Sequence, residues 1–421
     1  MSNRHLPVRP DLTQLKHQAK ELLRAIKRGD ADAIADFREQ VPGKADPSTA
    51  TLSDAQLALA RSYGVASWPR LVAACQVVDA IWADDLERLR ALIAKRPALL
   101  HEMARGTRSC NWGAPLSYAA NLGRDNMIKM LRELGAKDVR HAAGRAALQG
   151  HVGTARMLYE MAGSPPTPKD AVMGPCEALN PEGLAFVLDI GAGISDQTGD
   201  WRAPIALLLE TYSRHPEGKH RCLEIMVEHG ITLPDTPPMA VHRGRLDLLE
   251  RHLRADPNLL GRTFPHAELF PPELGCGPDG SLAFAGTPLG GATLLHMCVD
   301  YGELEIAEWL LDRGMDVNIR AATDADGFGG YTPLFSAVVS YTWYVRSKYA
   351  KPKPDRDRLA ELIITRGADA NARASIRNRI HIDVVHEYRD VTPFEYGERF
   401  HDQDLVSTPA MRLIAERIGR P

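Results

Sequence analysis

The chain has 421 residues, and its 51 lysines and arginines nearly balance 54 aspartates and glutamates, which leaves a formal net charge of −3. Hydrophobic residues make up 44% and charged residues 25%, the usual proportions of a globular protein. These values exclude a disordered charged tail and a strongly cationic nucleic-acid-binding protein. Length alone predicts about two to three domains, unless one repeated architecture covers the chain.

The six cysteines are far apart in the sequence, and none belongs to a CxxC pair or to a cysteine–histidine array with zinc spacing. We therefore expect reduced thiols, no metal and no cofactor. The first ten residues lack the apolar segment of a secretion signal, and no stretch approaches the ~18 apolar residues that a membrane helix needs. These features predict a cytoplasmic protein that does not span a membrane.

Residues 1–77 contain no repeat, and they predict four helices. Apolar residues at helical spacing indicate the first helix, which ends at Gly29, and the segments 31–40 and 52–63 predict the next two. Ser67 is the expected N-cap of the fourth. Because the end of a repeat stack exposes an apolar face, we interpret residues 1–77 as a helical cap, with a separate binding role as the alternative.

Two short patterns alternate through residues 78–421. One is an apolar pair followed by polar residues and a glycine that begins a turn, as in Leu310-Leu311 to Gly314. The other begins a helix with Thr-Pro-Leu or a variant of it, as in Thr332-Pro333-Leu334. Proline fits the first helical turn, and a glycine at the helix end can adopt a positive φ. The alternation predicts pairs of short helices joined by turns.

This alternation resembles the ankyrin repeat, most closely over residues 293–318 and 332–371. The resemblance implies an all-α, ankyrin-like helical-repeat solenoid over residues 78–421, behind the N-terminal cap. The segments 15–23 and 63–69 also resemble the small helical leader of bacterial ankyrin-repeat proteins.

Repeat lengths depart from the family pattern. The step from Gly135 to Gly163 is 28 residues, shorter than the ~33 of the family, whereas the step from Gly314 to Gly367 is 53. Long inserted loops are expected at about 264–291, 339–358 and 374–391. The first is glycine-rich and suggests a lid, a binding loop or disorder, and the third alternates like a β-hairpin.

The 339–358 insertion mixes aromatic and basic residues, a combination that can stack on single-stranded nucleic acid. Its Lys-Pro-Lys-Pro run favours a solvated linker instead, and the chain as a whole is slightly acidic. We therefore expect no nucleic-acid partner.

The resemblance implies that a partner protein binds a concave surface lined by turn tips and by the ends of the first helices. A tryptophan in a turn suits an interface hot spot, although Trp112 and Trp201 can instead pack on a neighbouring tip. His296 stands where the family has a histidine that hydrogen-bonds the adjoining turn. The predicted partner-binding residues are Trp112, Asn121, Trp201, Asp300, Tyr301, Phe328 and Tyr331.

An enzyme, or a protein that binds a small ligand or metal, is the alternative function. Its pocket would lie beneath the 264–291 and 374–391 loops and would use His266, His381, Asp383 and His386. A single strand would place His381 and Asp383 on one face and His386 on the other. Their spacing matches no metal signature, and no nucleophile motif occurs, so a protein–protein interaction scaffold is the leading hypothesis.

Overall fold

A computed structural model describes residues 6–43, 46–107, 110–278, 286–339, 355–381 and 384–420, without the side chains of 355–357 and 379–381. The chain forms two compact units, Met1–Pro166 and Thr167–Pro421, here called unit 1 and unit 2. Both are built mainly from short helices packed in pairs, which confirms the predicted all-α repeat fold. Most of the predicted 339–358 insertion lies outside the described residues.

Unit 1 begins with the four helices that the sequence predicts. The side chains of Asp11, Asp30 and Thr51 accept hydrogen bonds from the first turns of the first three helices. Ser67 occupies the N-cap position of the fourth, but its side chain caps no backbone N–H. The helices are α1 (Leu12–Lys27), α2 (Ala31–Gln40), α3 (Leu52–Ser62) and α4 (Trp68–Trp82).

The rest of unit 1 contains the first repeated helix pairs. Helix α6 packs against α7 and α8, and α8 packs against α9, so the first helices of consecutive pairs lie side by side. These helices are α5 (Leu86–Lys95), α6 (Pro115–Ala120), α7 (Asp125–Glu133), α8 (Val139–Leu148) and α9 (Val152–Met161).

Unit 2 continues the pairing. First helices again pack on one another, α10 against α12, α14 against α17, and α17 against α19. Second helices α11, α13 and α15 lie along their partners α10, α12 and α14. The helices are α10 (Met173–Glu177), α11 (Pro181–Asp189), α12 (Arg202–Glu210), α13 (Pro216–Glu228), α14 (Pro237–His242), α15 (Leu246–Ala255), α16 (His266–Leu269), α17 (Leu294–Tyr301), α18 (Leu304–Asp312), α19 (Pro333–Val338), α20 (Asp355–Thr365), α21 (Pro393–Arg399) and α22 (Thr408–Ile418).

Glycine ends the helices where the repeat pattern predicts it. The glycines after second helices have φ near +90°, as at Gly314 (90°) and Gly367 (94°), and those after first helices are also positive, as at Gly302 (82°). An L-residue with a side chain adopts this conformation at a cost, which explains why glycine recurs there.

The insertions of unit 2 are packed structure where they are described. The 374–391 segment is the expected hairpin, with strand β1 (Ala374–His381) antiparallel to β2 (Val384–Val391). Of the alternatives weighed for 264–291, disorder and a lid are wrong for its first half, because Phe264, Leu269, Phe270 and Leu274 are buried. Their apolar side chains supply core to the neighbouring repeats, so this half is not a lid.

Gly329 provides a test of the packed turns. Its φ is +123°, and a Cβ there would lie 2.0 Å from the Ala322 carbonyl oxygen, whereas Gly327 (φ +83°) has open space around it. We expect Gly329→Ala to lower the free energy of unfolding by about 3 kcal/mol or more, and Gly327→Ala by only about 1 kcal/mol. Urea unfolding monitored by circular dichroism measures both, and equal losses would contradict the close approach.

Candidate functional site

The turns of unit 2 are joined by main-chain hydrogen bonds. Phe264 N–H donates to Ala292 O (2.8 Å), and Ala322 N–H donates to Gly291 O (2.8 Å). Farther along, Gly329 N–H donates to Ser375 O of β1 (2.7 Å). We call these linked segments, residues 264, 291–292, 321–331 and 374–375, the tip ladder. The ladder fixes successive turns relative to one another, so a surface formed by them is largely preformed.

Trp201 is the exposed aromatic residue among the predicted tips, with 45% of its surface accessible. The preceding turn is held by Asp196, whose carboxylate accepts hydrogen bonds from the N–H groups of Thr198 (2.8 Å) and Asp200 (2.9 Å). The Asp200 carboxylate accepts from Arg202 Nη2 (2.8 Å), and this bond lowers the pKa of Asp200. A large apolar side chain is thus presented to solvent from a backbone with little freedom.

The second predicted tip of unit 2 is the turn at 328–331, and its two aromatic residues are covered by neighbouring groups. Phe328 is only 5% exposed, because the guanidinium groups of Arg377 and Arg389 lie 4.4 and 4.2 Å from its ring centre. Tyr331 is buried, and its hydroxyl donates to Pro288 O. The prediction that these two side chains contact a partner directly is therefore wrong. Both hold the tip ladder together.

The predicted contact residues of unit 1 are largely occupied internally. Trp112 is half-buried, and its ring centre lies 4.8 Å from that of Tyr118. Asn121 is buried; it donates to Ser117 O (2.8 Å) and accepts from Arg145 Nε (2.8 Å). The Trp112 ring thus packs on a side chain of α6, whereas the stated alternative was packing on a neighbouring tip, and Asn121 has no surface to offer a partner.

Asp300 and Tyr301 lie inside unit 2, in a buried polar cluster. The Tyr301 ring has Arg214 Cζ 4.4 Å and Lys219 Nζ 3.6 Å from its centre, and its hydroxyl donates to Leu209 O (2.8 Å). Arg214 Nη2 donates to Asp300 Oδ2 (3.0 Å), with both side chains fully buried. The expectation that Asp300 and Tyr301 line a partner surface is wrong, because Arg214, just before α13, and Lys219, in its first turn, cover them.

The cluster also ties the first insertion to the helices. Lys219 Nζ donates to His242 Nδ1, and His242 Nε2 donates to Leu269 O (2.9 Å). Glu210 accepts from Gly277 N–H (2.9 Å). We call Glu210, Arg214, Lys219, His242, Asp300 and Tyr301 the Tyr301 cluster. It joins four helices and the loop after α16 through side chains that have almost no contact with solvent.

Burial dominates the protonation of this cluster. It lowers the pKa of Lys219 to about 7, and it raises the pKa of Asp300 although Arg214 opposes that rise. Burial and then the neighbouring Lys219 hold the pKa of His242 well below its usual range. The neutral imidazole of His242 is the form that can accept from Lys219 while donating to Leu269.

We expect Lys219 to make stability depend on pH. Its unfolded pKa is ~10.4, so above pH ~7 the unfolded chain carries a proton that the folded chain lacks, and the free energy of unfolding should rise with pH. Between about pH 7 and 8.5, the free energy of unfolding should rise by at most ~1.4 kcal/mol per pH unit. Above that range, cysteines that are buried in the folded protein also titrate in the unfolded chain. Below pH ~7 the cost of burying the ammonium group is present in full.

Lys219→Met should remove this slope and stabilise the protein at pH 6 to ~7, whereas Lys169→Met, at an exposed position, should leave the slope unchanged. Urea unfolding at a series of pH values measures both. An unaltered slope in Lys219→Met would show that this lysine does not titrate as described.

The buried Arg214–Asp300 pair provides a second test. Arg214→Met or Asp300→Leu alone leaves a buried charge without its partner and should cost about 3–5 kcal/mol of unfolding free energy. The double variant should cost clearly less than the sum of the two. A double-mutant cycle by urea unfolding measures the coupling, and additive losses would contradict the pair.

The four residues of the alternative site are not brought together where they are described. His266 Nε2 donates to Gly277 O (3.0 Å), and the His386 ring stacks on His401 with centres 3.6 Å apart. His381 pairs with Val384 across the hairpin turn, so the expected single strand through 381–386 is wrong. Asp383 and the side chain of His381 lie outside the described residues.

His296 behaves as the sequence predicts. Its Nε2 donates to Tyr331 O (3.0 Å) and its Nδ1 contacts Thr293 Oγ1 (2.9 Å). Burial lowers the pKa of this histidine to about 4, so it stays neutral while it orders the adjoining turn.

Two further observations concern the described residues only. Among them, no group of three or more His, Cys, Asp or Glu side chains has the arrangement of a metal site. None of the helices that the structure describes is long and apolar enough to cross a bilayer.

Sequence reasoning missed Arg214 and Lys219, the cations of the Tyr301 cluster. Arg214 directly precedes His215-Pro216 and Lys219 follows in the first turn of α13, where the start of a second helix combines several charges, and that unusual polarity was the available signal. Nothing in residues 214–219 indicates that Asp300 and Tyr301 will pack against them.

Comparison with known proteins agrees with the repeat pattern. Residues 290–322 match the family model described as ankyrin repeat, on one of the units singled out from the sequence. Ankyrin repeat-containing protein YGL242C of Saccharomyces cerevisiae is 27% identical over 165 residues, which is 38% of this chain and 74% of the yeast protein.

Two solved structures are also similar. The human ASB11 ankyrin repeat domain matches with a TM-score of 0.27 and 19% identity, over 61% of this chain and 99% of that domain. The ankyrin repeat domain of Bcl-3 matches with a TM-score of 0.21 and 14% identity, over 72% of this chain and 97% of that domain.

Proposed function

Because the chain is an ankyrin-repeat protein, and such repeats generally act as protein-interaction modules, we propose that it recognises a partner protein through the turn tips of unit 2. The observation that carries this proposal is the exposed ring of Trp201 on a turn with a fixed backbone. A partner that covers the ring gains apolar burial, and little conformational entropy is lost because the turn is already ordered.

The other predicted contact residues receive a supporting role in this proposal. Phe328 and Tyr331 hold the second tip, and Asp300 and Tyr301 hold the segment from Arg214 to Lys219. What the second tip offers a partner is the charged layer over Phe328, where Arg377 forms ion pairs with Asp324 and Asp326. Such a layer suits the polar rim around an aromatic anchor.

We do not propose an enzymatic function. His266 and His386 each contact a different set of neighbours, and no described contact joins them. A cytoplasmic location and a bacterial type of protein remain predictions from the sequence.

The proposal is tested by photo-crosslinking in cells of the source organism. A benzophenone amino acid in place of Trp201 should crosslink one defined protein. The same amino acid in place of Trp309, a half-buried tryptophan on α18 covered by Arg313 (3.9 Å from its ring centre), should not. Mass spectrometry of the adducts identifies the partner.

Affinity for the crosslinked protein is then measured with purified components. Trp201→Ala should weaken binding at least tenfold, a loss typical of an interface hot spot, whereas Trp309→Ala should leave it unchanged. Crosslinks only from position 309, or binding that is insensitive to Trp201→Ala, would refute the assignment of this surface.

A further inference from the structure

A basic pocket lies in unit 1, and the function proposed above does not use it. Its volume is about 390 Å³, near the lower end of the usual range for small-molecule sites. The pocket lies between the end of α7, the start of α8 and the end of α9. Its lining residues are Arg132, Lys137, Asp138, Val139, Arg140, His141, Met161 and Ala162.

The charges in this pocket are unbalanced. Arg132, Lys137 and Arg140 contribute three positive charges and Asp138 one negative charge, which leaves +2 with His141 neutral. Arg132 donates to Ala136 O, which anchors the guanidinium to the turn before α8. In the described part of the chain, none of the three cations has a carboxylate within ion-pair distance, so their charge is available to a ligand.

Asp138 is engaged elsewhere, although it stands at the N-cap of α8. Its carboxylate accepts from Ser117 Oγ (2.5 Å) and from Ser117 N–H (3.3 Å), and it caps no N–H group of its own helix. Ser117 in turn accepts from His141 Nδ1 (2.8 Å). The first-turn residues of this ten-residue helix, 139–141, therefore line the pocket without an intramolecular cap.

We propose that this pocket binds a phosphate monoester. Three cations and the positive end of a helix dipole meet in one small volume, and guanidinium groups match phosphate oxygens in a bidentate geometry. The pocket's net charge of +2 matches the charge of a phosphate monoester dianion. A phosphate monoester carries this charge on one group, whereas carboxylates supply it only as two separate side chains.

The remaining wall of the pocket agrees with an ester rather than a bare anion. Met161 is 37% exposed and borders the pocket together with Ala162 and Val139. These apolar surfaces can pack against the carbon atoms that carry the phosphate. Two sources share this chemistry, a phosphorylated side chain of a protein and a free small phosphate.

The test uses the full chain and a fluorescein-labelled peptide with one phosphoserine flanked by neutral residues, measured by fluorescence anisotropy in low salt. The wild-type protein should bind this peptide, and it should bind the unphosphorylated peptide and a glutamate-substituted peptide at least tenfold more weakly. Lys137→Gln and Arg140→Gln should each weaken binding at least tenfold. Arg90→Gln, the same loss of charge on the exposed face of α5, should change it less than twofold.

Competition with inorganic phosphate distinguishes the two sources. Displacement of the peptide by phosphate supports a site for the phosphoryl group itself, and failure to displace a bound phosphopeptide supports a site that needs the phosphorylated side chain in a protein. Absence of binding, equal binding of the glutamate peptide, or an equal loss in Arg90→Gln would overturn the proposal. Because Trp201 is not involved, none of these outcomes depends on the partner surface of unit 2.

Discussion

Short helices impose the main constraint on this protein. Most helices in the repeats contain only about six to ten residues, too few to be stable in water alone, so each forms only when its neighbours cover its apolar face. Side chains between consecutive first helices, such as Leu116, Leu208 and Leu295, are therefore fully buried. The turns must then be compact enough to return the chain for the next pair, and glycines such as Gly314 and Gly367, with positive φ, meet that requirement.

This constraint explains how much the sequence could predict. Features that depend on local chemistry agree with the structure. They are the helix starts at Thr332 and Thr392, the helix ends at Gly302 and Gly367, and the four N-terminal helices. Local chemistry does not decide whether a residue of a repeat is exposed or covered by another element. Asp300 and Tyr301 end a first helix as the repeat pattern predicts, yet Arg214, just before α13, and Lys219, in its first turn, lie over them. Contacts between residues separated by 80 or more positions carry no local signal.

The same distinction applies to function. Trp201 was identified because a tryptophan is unusual in a turn, and it is exposed as a contact residue should be. Phe328 has the same kind of signal, but two arginines from the hairpin cover its ring. The pocket beside α8 carries no sequence motif, and only the structure reveals that the Asp138 carboxylate bonds to Ser117 rather than to the N–H groups of α8. A residue type at a turn thus indicates a candidate, and the neighbouring element decides whether it serves recognition or support.

The Tyr301 cluster limits how this protein can change by recombination. Regular repeats interact mainly through apolar faces of similar shape, so whole units can be gained, lost or exchanged during evolution. Here the buried pairs Arg214–Asp300 and Lys219–His242 join side chains from three different helix pairs. Removing or inserting a helix pair between residues 210 and 301 would leave at least one buried charge without its partner. This stretch must therefore be inherited as one block, whereas the pairs on either side of it are free of that restriction.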